Sequence, residues 1–221
     1  MARKAIANAP GVPSGLDRPM PPGEMWEEEA TGRFVPAPEV VDWIRRAILD
    51  ERGPIHNPDH VHLRMARIGV LWTDLPARRQ MRAIVGQAEM PQPRGSAWAR
   101  ARQEQQLREW FGGGVDFLIT LYAPHAAAID DASWCALVEH ELYHCGQAVD
   151  RYGVPRFRRD GTPVWAIRGH DAEEFVGVVA RYGPGATAGG VADLVRAALL
   201  GPTVAPARIS AACGTCLARA A

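Results

Sequence analysis

The chain has 221 residues and equal numbers of basic and acidic side chains, 25 of each, so no global field argues for nucleic acid or a membrane surface as partner. This length suits one domain with a substantial core, and two full domains would be a squeeze. No run of eighteen apolar residues occurs, and Met1 to Pro10 lack the apolar core of a secretory signal, so a soluble, cytoplasmic protein is expected.

Residues 1–37 carry six prolines, several glycines and the acidic run Glu27-Glu28-Glu29, which read as a flexible arm. From Pro38 the apolar residues Val40, Val41, Ile44, Ala47 and Ile48 recur at helical spacing, so a helix is predicted over about 38–50. His56-Asn-Pro-Asp-His60-Val-His62 is a histidine cluster, but Pro58 forbids a helix that would aim two of its rings together, and a turn leading into a strand over 62–72 is the simpler reading. Asp74 followed by Met81, Ile84, Val85 and Ala88 predicts a capped helix ending near Glu89. Residues 97–111 fit either one helix or a strand followed by a helix, ended by Gly112-Gly113-Gly114. Residues 115–122 are the clearest strand in the chain, rich in β-branched and aromatic side chains and closed by Pro124.

The stretch that follows carries the chemistry. Asp130 or Asp131 caps a helix predicted to run to about Gly153, and within it lies His140-Glu141-Leu142-Tyr143-His144, the pattern H-E-x-x-H. Residues four apart share a helix face, so both imidazoles can reach one metal ion while Glu141 stands beside it. The bland alternative is a surface helix with two ordinary histidines. Asp160-Gly161 between strand-like flanks marks a hairpin, which would double the chain back and bring Gly169-His170-Asp171-Ala-Glu173-Glu174 against the motif helix. A catalytic zinc takes three protein ligands and keeps a water, so a third ligand is needed. His170 is the best candidate by ligand softness, with Asp171, Glu173 and Glu174 as alternatives, or as outer hydrogen-bond acceptors for the ligands if they are not ligands themselves. Glu141 is then the general base, and Tyr152, Arg168 and Tyr182 are candidate donors to the developing oxyanion. The strand 115–122, if it forms an exposed edge, would accept an extended peptide.

A last helix is predicted over about 189–200, so the domain spans 38–200 and residues 201–221 form a flexible tail. Within the tail, Cys213-x-x-Cys216 is half of a zinc-ribbon pattern without its other half, since Cys135 and Cys145 belong to the central helix region, and a redox-inert tail is the simpler reading. Cys145, next to His144, reads as a small buried residue, because a fourth protein ligand would close the site.

The Pro38-Glu39 helix, the His56-Asn-Pro-Asp-His60 turn, Ile68 to Thr73, Asp116 to Thr120, His140-Glu-Leu-x-His144-Cys145 and His170-Asp171-x-Glu-Glu-Phe175 together resemble the Putative phage metallopeptidase family, small zincin-like proteins of phages and prophages broadly similar to SprT-like proteases. The resemblance covers about residues 36–180. It implies an α+β fold of minimal zincin type, a small and mostly antiparallel sheet packed on the motif helix. It also implies one catalytic zinc held by His140, His144 and His170, with Glu141 as base, a protein or peptide substrate, and a bacterial host cell as setting. Two other readings stay open: a catalytically silent zinc-site protein binding a host or DNA-associated partner, and hydrolysis of a non-peptide bond.

Overall fold

The structure, a computed structural model, describes residues 16–26, 32–79, 82–172, 179, 184, 190–207 and 212–213. The fold is α+β. Its frame is a mixed sheet in the order β1 (Phe34–Pro36), β2 (Ile68–Thr73), β5 (Phe117–Tyr122), β4 (Arg82–Glu89) and β3 (Ala77–Arg79), to which β8 (Ala212–Cys213) adds along β4. A second sheet is the short antiparallel pair β6 (Cys145–Gln147) and β7 (Trp165–Ile167).

The centre of the main sheet explains itself from composition. All six residues of β2 are buried, and β5 buries Phe117, Leu118, Ile119 and Leu121, so both read as the near-continuous apolar runs that a two-sided strand requires. They run parallel, Ile68 beside Phe117 through Thr73 beside Tyr122. Parallel neighbours need a long crossover, and here it holds β3, β4 and the helix α2 (Ala97–Phe111). β4 then lies antiparallel to the other side of β5. The strand 117–122 is therefore central, flanked on both sides, and the expectation that it offers an open edge to a peptide is overturned.

One face of the sheet carries α1 (Pro38–Ile44) and α4 (Asp131–His144), which meet through Trp43 and Trp134 with ring centroids 4.4 Å apart in an edge-to-face pair. Trp72 ties α1 to β2 by donating its indole N–H to Glu39 at 2.9 Å. Trp72, Trp134 and Phe117 have no exposure at all, and burial of each stabilises the fold by roughly 1.5–3 kcal/mol. On the opposite face the end of α2 closes over β2: a Cβ added at Gly69 would stand 2.9 Å from the Phe111 ring. A short helix, α3 (Ala123–Ala128), links β5 to α4.

Several sequence expectations change. Ala77–Arg79 and Arg82–Glu89 form strands where a helix was expected; Val85 and Ala88, three residues apart, are buried on opposite faces of the sheet, so the strand shows no simple alternation that would have marked it. Asp74 caps no helix, and its carboxylate accepts from the backbone N–H groups of Gly32 and Arg33 at 2.7 and 2.8 Å. The stretch 58–65 is a 3₁₀ helix capped by Asn57, so the strand begins only at Ile68. Helix α1 passes into a π-helical turn, Arg45–Leu49, and residues 97–111 form one helix, capped by Ser96 and ended at Gly112 with φ +68°. The motif helix stops at His144, well before Gly153. The hairpin at Asp160-Gly161 is present: Arg158 donates to the Thr162 carbonyl at 2.8 Å, and Gly161 takes φ +80°.

The regions read as arm and tail both touch the domain. Leu16 and Met25 are buried in the core, Arg18 pairs with Asp131 at 2.9 Å, and β1 pairs with β2. From the other end, β8 lies on β4. Among the described residues no helix is long and apolar enough to cross a membrane.

Candidate metal centre

Helix α4 begins with the Asp130 side chain accepting from the Ser133 N–H at 2.8 Å, which satisfies one of the donors a helix start leaves open. Its apolar side buries Trp134, Val138 and Leu142. One turn of helix separates His140 from His144, and their Nε2 atoms stand 3.2 Å apart.

The third imidazole arrives through the second sheet. β6 follows His144 without a loop, and the antiparallel ladder sets Cys145 opposite Ile167. The pairing runs one residue further: Arg168 donates its backbone N–H to the His144 carbonyl at 2.9 Å, and the Arg168 carbonyl accepts from His144 Nδ1 at 2.7 Å. Two residues on, His170 places Nε2 3.3 Å from His140 Nε2. A carbonyl only accepts, so His144 Nδ1 carries the proton and its Nε2 turns a lone pair toward the other rings, the tautomer a metal ligand needs.

A fourth donor comes from β8. Cys213 Sγ lies 3.2 Å from His144 Nε2, and the four donor atoms of His140, His144, His170 and Cys213 all lie within 4.8 Å of one another. Imidazole nitrogens about 2.1 Å from one tetrahedral ion stand roughly 3.4 Å apart. The observed 3.2 and 3.3 Å match that spacing, so this donor set fits a tetrahedral ion such as zinc.

Glu141 is fully buried beside the rings, facing the sheet at Gly86. A Cβ at position 86 would stand 2.5 Å from Glu141 Oε1, so glycine there makes the room that this carboxylate fills. Its other oxygen, Oε2, is 3.9 Å from Cys213 Sγ. Burial disfavours charge on His144, but the Cys213 thiol and the Arg168 carbonyl outweigh it and hold its pKa above the ordinary value.

Of the residues singled out in the sequence, His140, Glu141, His144 and His170 converge. Asp171 does not join them and pairs with the Arg168 side chain. Glu173, Glu174, Tyr182 and Cys216 lie outside the described residues. Tyr152 is exposed with the Arg151 guanidinium 4.7 Å over its ring, and Arg168 is occupied by Asp171 beside Tyr143. Cys145 is buried as expected, its thiol pushed up in pKa by burial, but it opens β6 and does not lie on the helix. Sequence reasoning missed Cys213, whose signal was the unpaired half-ribbon read as an inert tail.

The histidines at 56, 60 and 62 lie outside the cluster and find other partners. His56 Nδ1 donates to the Ile48 carbonyl at 3.0 Å and His62 Nε2 to the Cys145 carbonyl at 2.8 Å. Asn57 donates to Glu139 at 2.9 Å and to the Tyr143 hydroxyl at 3.0 Å, while that hydroxyl donates to Asp59 at 2.9 Å. His60 packs edge-on against Tyr143, and its pKa is lowered to about 4 by burial and then by nearby His62. Burial also raises Glu139, against the Asn57 bond.

An α+β frame with a buried carboxylate beside three clustered imidazoles is the arrangement of a metal-dependent hydrolase site. The sequence matches the family described as Putative phage metallopeptidase over residues 41–199, more than half of the chain, and the chain belongs to that family. The match includes the three histidines and Glu141 and ends before Cys213. No curated protein matches the chain significantly, and no solved structure does.

Proposed function

We propose that this chain is a zinc-dependent peptidase in which His140, His144 and His170 hold the ion and Glu141 is the general base. The observation that carries the reading is Glu141: a fully buried carboxylate, seated where Gly86 gives it room, whose Oε2 faces the fourth donor position of the cluster at 3.9 Å. A site that only held structure together would have no use for an acid group there, and burying one without function costs several kcal/mol.

When bound, the ion supplies an acidified water and polarises the scissile carbonyl. Glu141 takes the proton from the attacking water and delivers it to the leaving amine, a role worth about 10²- to 10⁴-fold in rate. The Arg168 carbonyl holds the His144 ring in its ligand tautomer. The β6–β7 ladder keeps His170 in place relative to α4. The substrate is a protein or peptide and the setting a bacterial host cell, as the family description suggests.

A second reading, a catalytically silent zinc-site protein that binds a partner, is favoured by one observation: Cys213 gives the cluster four protein donors, the number of a closed structural site. The test is Glu141→Gln in the full chain. On the peptidase reading, hydrolysis of a peptide library by the zinc-loaded protein is lost while zinc content stays near one per chain; equal turnover by parent and variant contradicts it.

A further inference from the structure

Resting on the peptidase reading, we propose that the C-terminal strand β8 is an intramolecular latch. The Cys213 thiolate takes the fourth position of the metal site, the backbone of β8 takes the adjacent edge of β4, and release of the strand frees both.

Two independent placements coincide on one residue. By donor geometry, Cys213 Sγ is 3.2 Å from His144 Nε2 and completes the four-donor cluster. By backbone register, Cys213 pairs with Gly86 of β4, while Gly86 faces Leu121 of β5 across its other edge. β8 therefore occupies the edge that an extended peptide would use beside Glu141. The sulfur also fills the space that Glu141 Oε2 faces, which is where the reading above needs a water.

The hold is built to be broken. β8 is two residues long, and its register on β4 is irregular between Ile84 and Gly86. Among the described residues a two-residue pairing is what resists its release, and so short a ladder belongs to the low-stability end of a fold. A tethered segment still competes well, because it acts at an effective concentration on the order of millimolar. The other thiols described are unsuited: Cys135 and Cys145 are buried, with burial pushing Cys135 up to about 11 in pKa and Cys145 higher still.

Closing moves one proton and no electrons. The thiol gives up its proton to solvent as sulfur replaces water at the fourth position; on opening, water returns and the thiolate is reprotonated. A permanent four-ligand centre would instead leave Glu141 and the glycine that accommodates it without purpose.

The test uses the full chain loaded with cobalt(II) in place of zinc. The parent should show an intense near-ultraviolet thiolate-to-cobalt band, and Cys213→Ser should lose the band, keep its cobalt, and after zinc loading cleave peptides about tenfold faster or more, as expected when the competent fraction rises from a small minority to most of the population. As a check on the parent itself, alkylation of Cys213 by iodoacetamide, followed by peptide mapping, should be markedly slowed by bound metal. The latch is overturned, with the metal site intact, if parent and variant spectra coincide, if metal leaves the alkylation rate unchanged, or if losing the band brings no gain in cleavage. Loss of cobalt from Cys213→Ser makes the cysteine a fixed ligand and also overturns it. A parent that takes up no metal overturns the peptidase reading and the latch together.

Discussion

Two histidine clusters of three residues each lie near one helix, and only one of them converges. His140 and His144 sit a helical turn apart and His170 is delivered to them by a β-ladder, so three Nε2 atoms come within hydrogen-bond distance of a common centre. His56, His60 and His62 are closer together in sequence, yet their rings go to a carbonyl of Ile48, to the Tyr143 ring, and to a carbonyl of Cys145. Proximity along the chain does not make a ligand set; what matters is a backbone that aims the lone pairs and a second partner that fixes each tautomer. In the first cluster the Arg168 carbonyl fixes His144 in this way, whereas His56 and His62 of the second spend a nitrogen each on a backbone carbonyl elsewhere.

Substitution separates the two clusters most sharply through metal affinity. His140→Ala should weaken zinc binding by more than about 100-fold, beyond what removal of a supporting residue costs, whereas His62→Ala should leave it close to the parent. Metal titration against a competing chelator measures both, and equal losses would erase the distinction.

A pH effect follows from His60. Its folded-state pKa of about 4 lies below its ordinary 6.5, so on acidification the unfolded chain takes up a proton before the folded one does. Its stability contribution is complete above about pH 6.5, is lost as pH falls through the window from 6.5 to about 4, and amounts to about 3 kcal/mol. Urea denaturation of the metal-free protein at several pH values should show this loss, and His60→Phe should remove most of it. A parent and variant with the same acid dependence would show that His60 is not the group responsible.

Smaller in free energy but closer to the chemistry is Gly86→Ala. The added Cβ meets Glu141 Oε1 at 2.5 Å, so the carboxylate or β4 must shift, at about 1–3 kcal/mol in stability. Peptide hydrolysis should fall while zinc content holds, because the three atoms nearest the added Cβ all belong to Glu141 and none to an imidazole. Unchanged hydrolysis would mean that Glu141 has more freedom than its burial indicates.

The parts of this molecule that were legible in the sequence are those set by local spacing. The H-E-x-x-H helix, its Asp130 cap, the strand ending at Tyr122, the Asp160-Gly161 turn and the arrival of His170 all follow from contacts between near neighbours or from one hairpin. Less legible was the stretch to Glu89, where Ile84, Val85 and Ala88 suit a helical period and do not alternate, because the strand they form buries side chains on both faces; Gly86, a poor helix residue, was the clue, and its role depends on Glu141 some fifty residues later. Cys213 showed in the sequence only as half of an unpaired ribbon pattern, and its place in the site was not legible. It meets His144 across 69 positions of sequence, and nothing in the spacing of Cys213 and Cys216 encodes that meeting. The central position of β5 was equally hidden, because strand order is decided by the crossover and not by the strand's own composition.

The claim that His140, His144 and His170 share one ion is tested most directly by X-ray absorption at the zinc edge on the loaded full-length protein. Imidazole nitrogens at about 2.0–2.1 Å should surround the metal, and His170→Ala should remove one of them. A shell of oxygens alone, or a shell unchanged in the His170→Ala protein, would contradict it.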